Sequence, residues 1–271
     1  MTWRKYEYKQ LREEDIEVPD IKRWQGEKIL LPELLTPTYQ VQKFFEDCYT
    51  ALTIINRVIV EIKYPLNVFG LPTDFHYFQA FRYRAGKCLV TKRNELDYWQ
   101  TAHETVLTRY GDCEDSSVLT TTGLLFRSFN SFVALGIVER DGEVLGGHAW
   151  TVVDLFGEYR LVETTLDEPY ATTGELPRID IERNEWYVPP ITYRAYMLFN
   201  NKEVWVWEEV KNYSPKQIIT GLKTMQKMER KNELRKYIEI ENAWYRTTKP
   251  INEIRRSRIK RLIAKIRGLK V

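Results

Sequence analysis

The sequence predicts an α+β domain in which helices pack on an antiparallel sheet, because the spacing of its apolar residues changes partway along the chain. Apolar side chains recur at helical spacing up to about residue 129 and alternate with a period of two afterwards. Glycines and turn-forming pairs separate the alternating segments. Helices followed by strands are typical of α+β folds, whereas α/β folds alternate the two.

The first two helices are expected before residue 111. Residues 38–62 carry an apolar stripe at helical spacing, and Cys48 lies on this stripe as an expected buried thiol. Residues 97–110 form the second predicted helix. Thr101 and Glu104 have the spacing of a capping box, which supports a helix start at this point.

A third predicted helix follows directly after the second. Gly111 is expected to end the second helix, and the third begins at Cys113. Asp112 is a favourable N-cap, and Asp115 lies three residues later. The apolar face of this helix continues to about Phe129.

Five later segments have the alternation of β-strands. Turns are expected at Asp141–Gly142 and at Gly157, which would join neighbouring strands as hairpins. The predicted strands are residues 132–139, 148–156, 159–165, 191–199 and 203–209.

The sequence predicts three parts along the chain. Residues 1–37 form an irregular N-terminal arm interrupted by prolines, and residues 38–212 form the core, with residues 64–95 as an expected insertion. Residues 213–271 form a helical C-terminal extension, which is basic over residues 251–271.

The positive charge of the chain is concentrated in its last segment. Residues 251–271 contain eight Lys/Arg and one Asp/Glu, whereas the whole chain has a formal net charge of +3. A cationic amphipathic helix of this kind predicts an acidic protein partner, nucleic acid or an anionic membrane surface. Alternatively, its apolar face packs on the core and the charges are solvated.

Cysteine content and hydropathy predict a cytoplasmic protein. Cys48, Cys88 and Cys113 cannot all pair, so no disulfide framework is expected. No apolar run approaches the roughly 18 residues of a membrane-spanning helix. The N-terminal residues also lack the apolar segment of a secretory signal.

Cys113 is the residue best suited to nucleophilic chemistry. It lies in the first turn of a predicted helix, where backbone N–H groups stabilise a thiolate. The neighbouring Asp112, Glu114 and Asp115 oppose thiolate formation unless they point elsewhere or bind a cation. A cationic partner would offset them, and His148 is the best candidate.

His148 begins a predicted strand and follows Gly146–Gly147, which permits another backbone to approach closely. With a hairpin turn near Gly157, Glu163 on the next strand shares a face with His148. The simplest tight turn instead places His148 nearer to Asp167, so Glu163 and Asp167 remain alternative acids. A carboxylate bonded to the imidazole fixes its tautomer and stabilises the imidazolium.

Three ordered sequence blocks resemble motifs of one protein family. Trp99, Thr101 and Glu104 match its Trp-x-Thr-Pro-x-Glu motif, although alanine replaces the proline. Residues 111–115 match Gly-Asp-Cys-Glu-Asp without a gap, and residues 148–150 match His-Ala-Trp. With these blocks, the chain resembles the transglutaminase-like superfamily, and within it the bacterial transglutaminase-like cysteine proteinase family. The resemblance covers roughly residues 40–65 and 97–166.

The resemblance implies a papain- or transglutaminase-like core with a catalytic triad. Cys113 would be the nucleophile on a helix, and His148 the base on an adjacent strand. Glu163 stands where the superfamily usually has aspartate, which is one methylene shorter. The Cys113 backbone N–H would hold the oxyanion, together with Trp99 or Gln100 as the candidate side-chain donor.

Some relatives bind calcium through acidic residues next to the cysteine. Asp112 and Glu114 match those positions, and a hard cation would relieve the local negative charge. Alternatively, Asp112 is only an N-cap and Glu114 only an acid of the first turn. No other cofactor is expected.

The sequence predicts a thiol-dependent hydrolase that acts on peptide or side-chain amide bonds of a protein or peptide substrate. A protein-glutamine transglutaminase would use the same triad, with an amine in place of water. A third hypothesis is a structural or assembly protein that keeps the fold without the chemistry. An intact cysteine and histidine favour the first two.

Overall fold

A sheet of seven antiparallel strands lies at the centre of the part of the chain that the structure describes. The computed structural model describes residues 2–19, 28–63, 99–165 and 176–224. All of these belong to one compact unit, Met1–Gln226, and a second unit comprises Lys227–Val271. The predicted insertion 64–95, the basic segment 251–271 and Asp167 lie outside the described residues.

The strands follow one another across the sheet in the order β1-β7-β6-β2-β3-β4, and β5 pairs with β6. Their antiparallel pairing confirms the predicted α+β class. The strands are β1 (Trp3–Glu7), β2 (Asn130–Arg140), β3 (Glu143–Leu155), β4 (Glu158–Val162), β5 (Trp186–Val188), β6 (Ile191–Phe199) and β7 (Glu203–Trp207).

The sequence predicted an irregular N-terminal arm, but part of this arm forms a regular strand. Trp3–Glu7 forms edge strand β1, which pairs along its whole length with Glu203–Trp207. Its side chains also join the aromatic packing, since the ring centroids of Trp3 and Trp207 are 5.0 Å apart. The pairing partner is about 200 residues away, so no local pattern in the arm reveals it.

Six helices with complete bounds precede the second strand in the described residues. They are α1 (Glu13–Ile16), α2 (Leu31–Leu34), α3 (Tyr39–Phe44), α4 (Ala51–Glu61), α5 (Ala102–Thr108) and α6 (Cys113–Phe126). After the last strand, residues 215–224 form a further helix, α7.

The single helix expected over residues 38–62 is in fact two, α3 and α4. Thr50 caps the second of them, because its hydroxyl accepts from the Thr53 backbone N–H at 3.2 Å. Cys48 lies in the connection and is buried as expected. The apolar spacing continues across the break, which explains why it resembled one continuous helix.

The predicted capping box of α5 is confirmed, but the predicted C-terminus of this helix is wrong. The Thr101 hydroxyl accepts from the Glu104 backbone N–H, and the Glu104 carboxylate accepts from the Thr101 N–H. The helix ends at Thr108, and the next residue, Arg109, caps it with a left-handed φ of 61°. Gly111 instead permits close packing, because a Cβ there would lie 2.7 Å from the Cβ of Asp115.

Helix α6 packs on the sheet and is buried along most of its length. Its sides contact strands β2 and β3, and the hydroxyl of Thr151 in β3 donates to the Ser117 carbonyl at 3.2 Å. The helix ends three residues earlier than expected, at Phe126, because Ser128 takes a left-handed φ of 65°. The N-terminus of α6 lies against the end of the sheet where β4 stops, because Ser116 is hydrogen-bonded to Thr164.

Candidate active site

Cys113 is the first residue of α6, and its residue surface is only 4% exposed. Its carbonyl accepts from the Ser117 hydroxyl at 2.6 Å, which closes the first turn. The Ser116 hydroxyl lies 3.0 Å from the Thr164 hydroxyl just beyond β4. These contacts fix the start of the helix to the sheet beside His148 and Glu163.

Glu163 is hydrogen-bonded to His148, with 2.8 Å between the Glu163 Oε2 and the His148 Nε2. The other oxygen of Glu163 accepts from the Thr165 backbone N–H at 3.0 Å and from the Thr165 hydroxyl at 2.7 Å. The Tyr193 hydroxyl donates to the same Oε2 at 3.0 Å. Four hydrogen bonds therefore set the orientation of this buried carboxylate.

The register of the β3–β4 hairpin explains why the acid is a glutamate. Thr151 pairs with Val162, so one further step places Glu163 beside Trp150 rather than directly opposite His148. The carboxylate therefore reaches the imidazole diagonally, over a longer path than a directly opposed pair requires. The additional methylene of glutamate suits this distance, and Glu163 contacts His148 in the part of the chain that the structure describes.

The charges around His148 favour its protonated form. Burial by itself lowers the pKa of His148, but the Glu163 carboxylate and the Cys113 sulfur both raise it, and the net pKa lies well above the ordinary value. Burial raises the pKa of Glu163, yet His148 and Thr165 outweigh it and hold the Glu163 pKa at about 2. The pair is therefore an imidazolium–carboxylate pair near neutral pH, with the sulfur of Cys113 beside the imidazolium.

Two aromatic side chains, Trp150 and Tyr193, lie beside the imidazole of His148. The His148 ring stacks near Trp150 with 6.0 Å between centroids, and the Tyr193 ring lies 6.3 Å from His148. Trp150 and Tyr193 also meet edge to face at 5.1 Å. Trp150 belongs to the recognised His-Ala-Trp block, but Tyr193 lies on β6, about 45 residues further along the chain. Nothing local in its strand distinguishes it from an ordinary packing residue.

The two oxyanion candidates occupy different positions. Gln100 donates its side-chain amide to the Tyr110 carbonyl and to the Asp115 carboxylate, both at 2.8 Å. Both amide hydrogens are thus committed, so Gln100 has a structural role and the expectation that it donates to an oxyanion is corrected. Trp99 lines the pocket that contains Cys113 and stays the candidate side chain.

The acidic residues next to Cys113 also divide into two kinds. Asp115 is used structurally, since its two oxygens accept from the Gln100 backbone N–H at 2.7 Å and from the Gln100 amide at 2.8 Å. Asp112, Cys113 and Glu114 each place one potential metal-ligand atom within 4.8 Å of the others, and all three residues are buried. Asp112 occupies the N-cap position of α6.

A narrow pocket leads to the sulfur and the imidazole. Its inner wall comprises Cys113, Glu114, Leu135 and residues 147–149, and Trp99 lies beside it. Ile219, Leu222 and Lys223 of helix α7 form the remaining side. Gly147 permits this packing as the sequence predicted, because a Cβ there would lie 2.9 Å from the Leu222 carbonyl oxygen.

Among solved structures, Legionella pneumophila LapG is similar to this chain at 10% identity and a TM-score of 0.38, over 67% of this chain and 85% of LapG. Calcium-bound LapG is similar at 13% identity and a TM-score of 0.29, over 62% of this chain and 86% of LapG. A candidate cysteine protease from Cytophaga hutchinsonii is 13% identical with a TM-score of 0.31, over 74% of this chain and 60% of that protein. No curated protein matches the chain.

The fold and the site define an α+β protein with a buried cysteine at a helix N-terminus beside a histidine–carboxylate pair. The sequence profile of the transglutaminase-like domain matches residues 36–172, just over half of the chain. The chain therefore belongs to the transglutaminase-like domain family, as its three sequence blocks predicted.

Among the described residues, no helix has the length and apolar character needed to cross a membrane.

Proposed function

We propose that the protein is a thiol-dependent hydrolase that cleaves peptide or side-chain amide bonds of a protein substrate. Two observations support this proposal: the His148 imidazole is hydrogen-bonded to the Glu163 carboxylate, and Cys113 lines the same pocket as His148. A thiolate beside an imidazolium is the reactive form of such a cysteine. The orienting carboxylate keeps the imidazole in place and in its charged form.

The chemistry follows from this arrangement. The Cys113 thiolate attacks the amide carbonyl carbon, and the resulting oxyanion is stabilised by backbone N–H groups in the first turn of α6, with Trp99 as the additional candidate. His148 then gives its proton to the departing amine, which leaves a thioester on Cys113. Water, deprotonated by His148, attacks the thioester, so that a carboxylic acid is released and the pair of Cys113 thiolate and His148 imidazolium is restored.

Mass spectrometry of a peptide library incubated with the protein separates the possible reactions. Hydrolysis of the backbone produces new termini, hydrolysis of glutamine produces glutamate, and transfer to an added labelled amine produces a labelled peptide. We expect hydrolysis products that disappear in Cys113→Ala. Products that persist in Cys113→Ala would contradict the proposal, labelled peptides alone would indicate a transglutaminase, and no products with any substrate would favour the structural hypothesis.

We also propose that Asp112 and Glu114 hold a calcium ion when it is bound. Two buried carboxylates supply the hard oxygen donors that calcium prefers, whereas the Cys113 sulfur is a poor calcium ligand. The Cys113 thiol donates to the Glu114 Oε2 at 3.2 Å, and a calcium ion on Glu114 would compete with this hydrogen bond. The cation would neutralise anionic charge beside the nucleophile. We expect calcium to raise the Tm of the wild type, and the same titration of Asp112→Asn to give a much smaller shift. Equal shifts in both proteins would contradict this assignment.

A further inference from the structure

Helix α7 contributes to the pocket that contains Cys113 and His148. Ile219, Leu222 and Lys223 of this helix line the pocket together with Trp99 and Ala149. Most of this lining is apolar. Ile219 and Leu222 are buried in the hydrophobic core that also contains Cys113.

The helix is held in this position at several points along its described length. The Lys216 ammonium forms an ion pair with Glu17 at 2.9 Å, and the Lys223 ammonium donates to the Pro19 carbonyl at 3.2 Å. Lys223 also lies 5.2 Å from the centre of the Trp99 ring. Contacts with the N-terminal arm and with Trp99 therefore hold α7 in its position beside the pocket.

The backbone next to His148 is shaped to accept this helix. Gly147 has no side chain, and a Cβ there would approach the Leu222 carbonyl oxygen to 2.9 Å, closer than ordinary van der Waals contact. Gly147 is not among the described residues with a positive φ, so its value to the fold is the space that it leaves for α7. The helix therefore lies directly against the strand that carries His148.

We propose that α7 is the outer wall of the substrate cleft, and that Leu222 and Ile219 limit the size of the groups that reach Cys113. This proposal rests on the proposed thiol chemistry of Cys113 but concerns access to it. With the helix in place, Cys113 is 4% exposed and faces a narrow apolar space. Small groups enter this space more readily than bulky ones, and shortening Leu222 widens it.

The test measures the alkylation rate of Cys113 with two reagents of different size, and peptide mass spectrometry identifies the modified cysteine. Iodoacetamide is the small reagent and a pyrene-maleimide is the bulky one. We expect Leu222→Ala to raise the alkylation rate of the bulky reagent, relative to that of the small reagent, about tenfold. The change in activation free energy that this requires is smaller than the loss of stability that a buried Leu→Ala truncation typically causes. Ile219→Ala should act in the same direction.

Ile218→Ala is the matched control. Ile218 lies on the same helix, is buried to a similar degree and belongs to the same core, but it does not line the pocket. It therefore loosens the packing of α7 without widening the pocket. Equal changes in Ile218→Ala and Leu222→Ala would show that α7 merely becomes less stable, and would overturn the assignment of a wall.

The outcomes separate this proposal from the proposed function. If Cys113 reacts quickly with iodoacetamide and Leu222→Ala leaves the size preference unchanged, the wall is overturned and the thiol chemistry stands. If Leu222→Ala gives the bulky reagent access but Cys113 is no more reactive than Cys48, the wall is supported and the thiol chemistry fails. If Cys113 resists both reagents in every variant, both proposals are overturned.

Discussion

The described residues contain two buried cysteines in very different surroundings. Cys48 is 2% exposed and Cys113 is 4% exposed, so exposure does not distinguish them. Burial raises the pKa of the Cys48 thiol, and Arg57 only partly opposes this. Each thiol donates to a neighbouring carboxylate, Cys48 to Asp47 and Cys113 to Glu114, but Cys113 also lies at a helix N-terminus and shares a pocket with His148. If the proposed function is right, the histidine partner and the helix terminus, rather than accessibility, distinguish the nucleophile from the structural thiol.

The largest expected effect is on activity when each cysteine is removed. Cys113→Ala should lower kcat/KM by about 1,000-fold or more, because the nucleophile of a covalent mechanism has no substitute. Cys48→Ala should change kcat/KM by less than about threefold, although it removes a buried sulfur and lowers the Tm. Hydrolysis assays and thermal unfolding of both variants measure these changes. A large loss of activity in a folded Cys48→Ala would break the comparison.

The next effect concerns alkylation of the two thiols by iodoacetamide near neutral pH. We expect Cys113 to react about 100-fold faster than Cys48, and His148→Ala to remove most of this difference, since the imidazolium no longer favours the thiolate. Quantitative peptide mass spectrometry gives both rates in one sample. Cys48 serves as the internal control, because its rate should not change in His148→Ala. Equal rates for the two thiols in the wild type would contradict the assignment of Cys113.

Replacing Glu163 by Gln tests the carboxylate that is hydrogen-bonded to His148, the residue that distinguishes the surroundings of Cys113 from those of Cys48. The carboxylate is the largest influence that raises the His148 pKa, so Glu163→Gln should lower that pKa towards or below its ordinary value of 6.5. Activity should fall by about 10- to 100-fold, with its alkaline limit shifted to lower pH. NMR titration of His148 and a pH–rate profile measure the two effects. An unchanged His148 titration would contradict the pairing.

The same variant has a defined effect on stability. The Glu163 pKa is depressed to about 2 from 4.5, so its contribution is present above pH 4.5 and is lost as the pH falls towards 2. The His148 pKa is raised, so its contribution is present below pH 6.5 and is lost as the pH rises through the folded-state pKa. The free energy of unfolding should therefore differ most between wild type and Glu163→Gln at about pH 4.5–6.5. Urea unfolding at several pH values tests this.

The smallest effect is expected for Tyr193, whose hydroxyl donates to the Glu163 oxygen that also bonds His148. Tyr193→Phe should lower kcat about fivefold and leave KM nearly unchanged, because one hydrogen bond to a positioned carboxylate is lost. Tyr187→Phe is the matched control, since Tyr187 is 67% exposed on the neighbouring strand β5. Kinetics and the His148 titration distinguish the two variants. An identical His148 titration in Tyr193→Phe and wild type would assign Tyr193 to packing alone.

Local patterns predicted the elements that carry the site better than the elements around it. The start of α6 at Cys113 agrees with the prediction, and the two strands next to it exist as expected. Their bounds differ, because β3 begins at Glu143, so that His148 lies inside it, and β4 ends at Val162, just before Glu163. The division of residues 38–62 into two helices did not follow from spacing, because the capping at Thr50 interrupts a stripe whose period continues. Strand β1 was missed because its hydrogen-bonding partner is distant in the sequence.

The sequence by itself predicted the fold class and the family correctly, because these depend on periodicity and on contiguous residue blocks, and the same blocks singled out Cys113 and His148 as candidate site residues. Only the tertiary structure selected Glu163 as the described partner of His148, since the register and the length of the side chain together decide that contact. It also showed that Gln100 and Asp115 bind each other, that Tyr193 reaches the carboxylate, and that residues of α7 line the pocket. Each of these depends on groups brought together from distant parts of the chain, which no local pattern records.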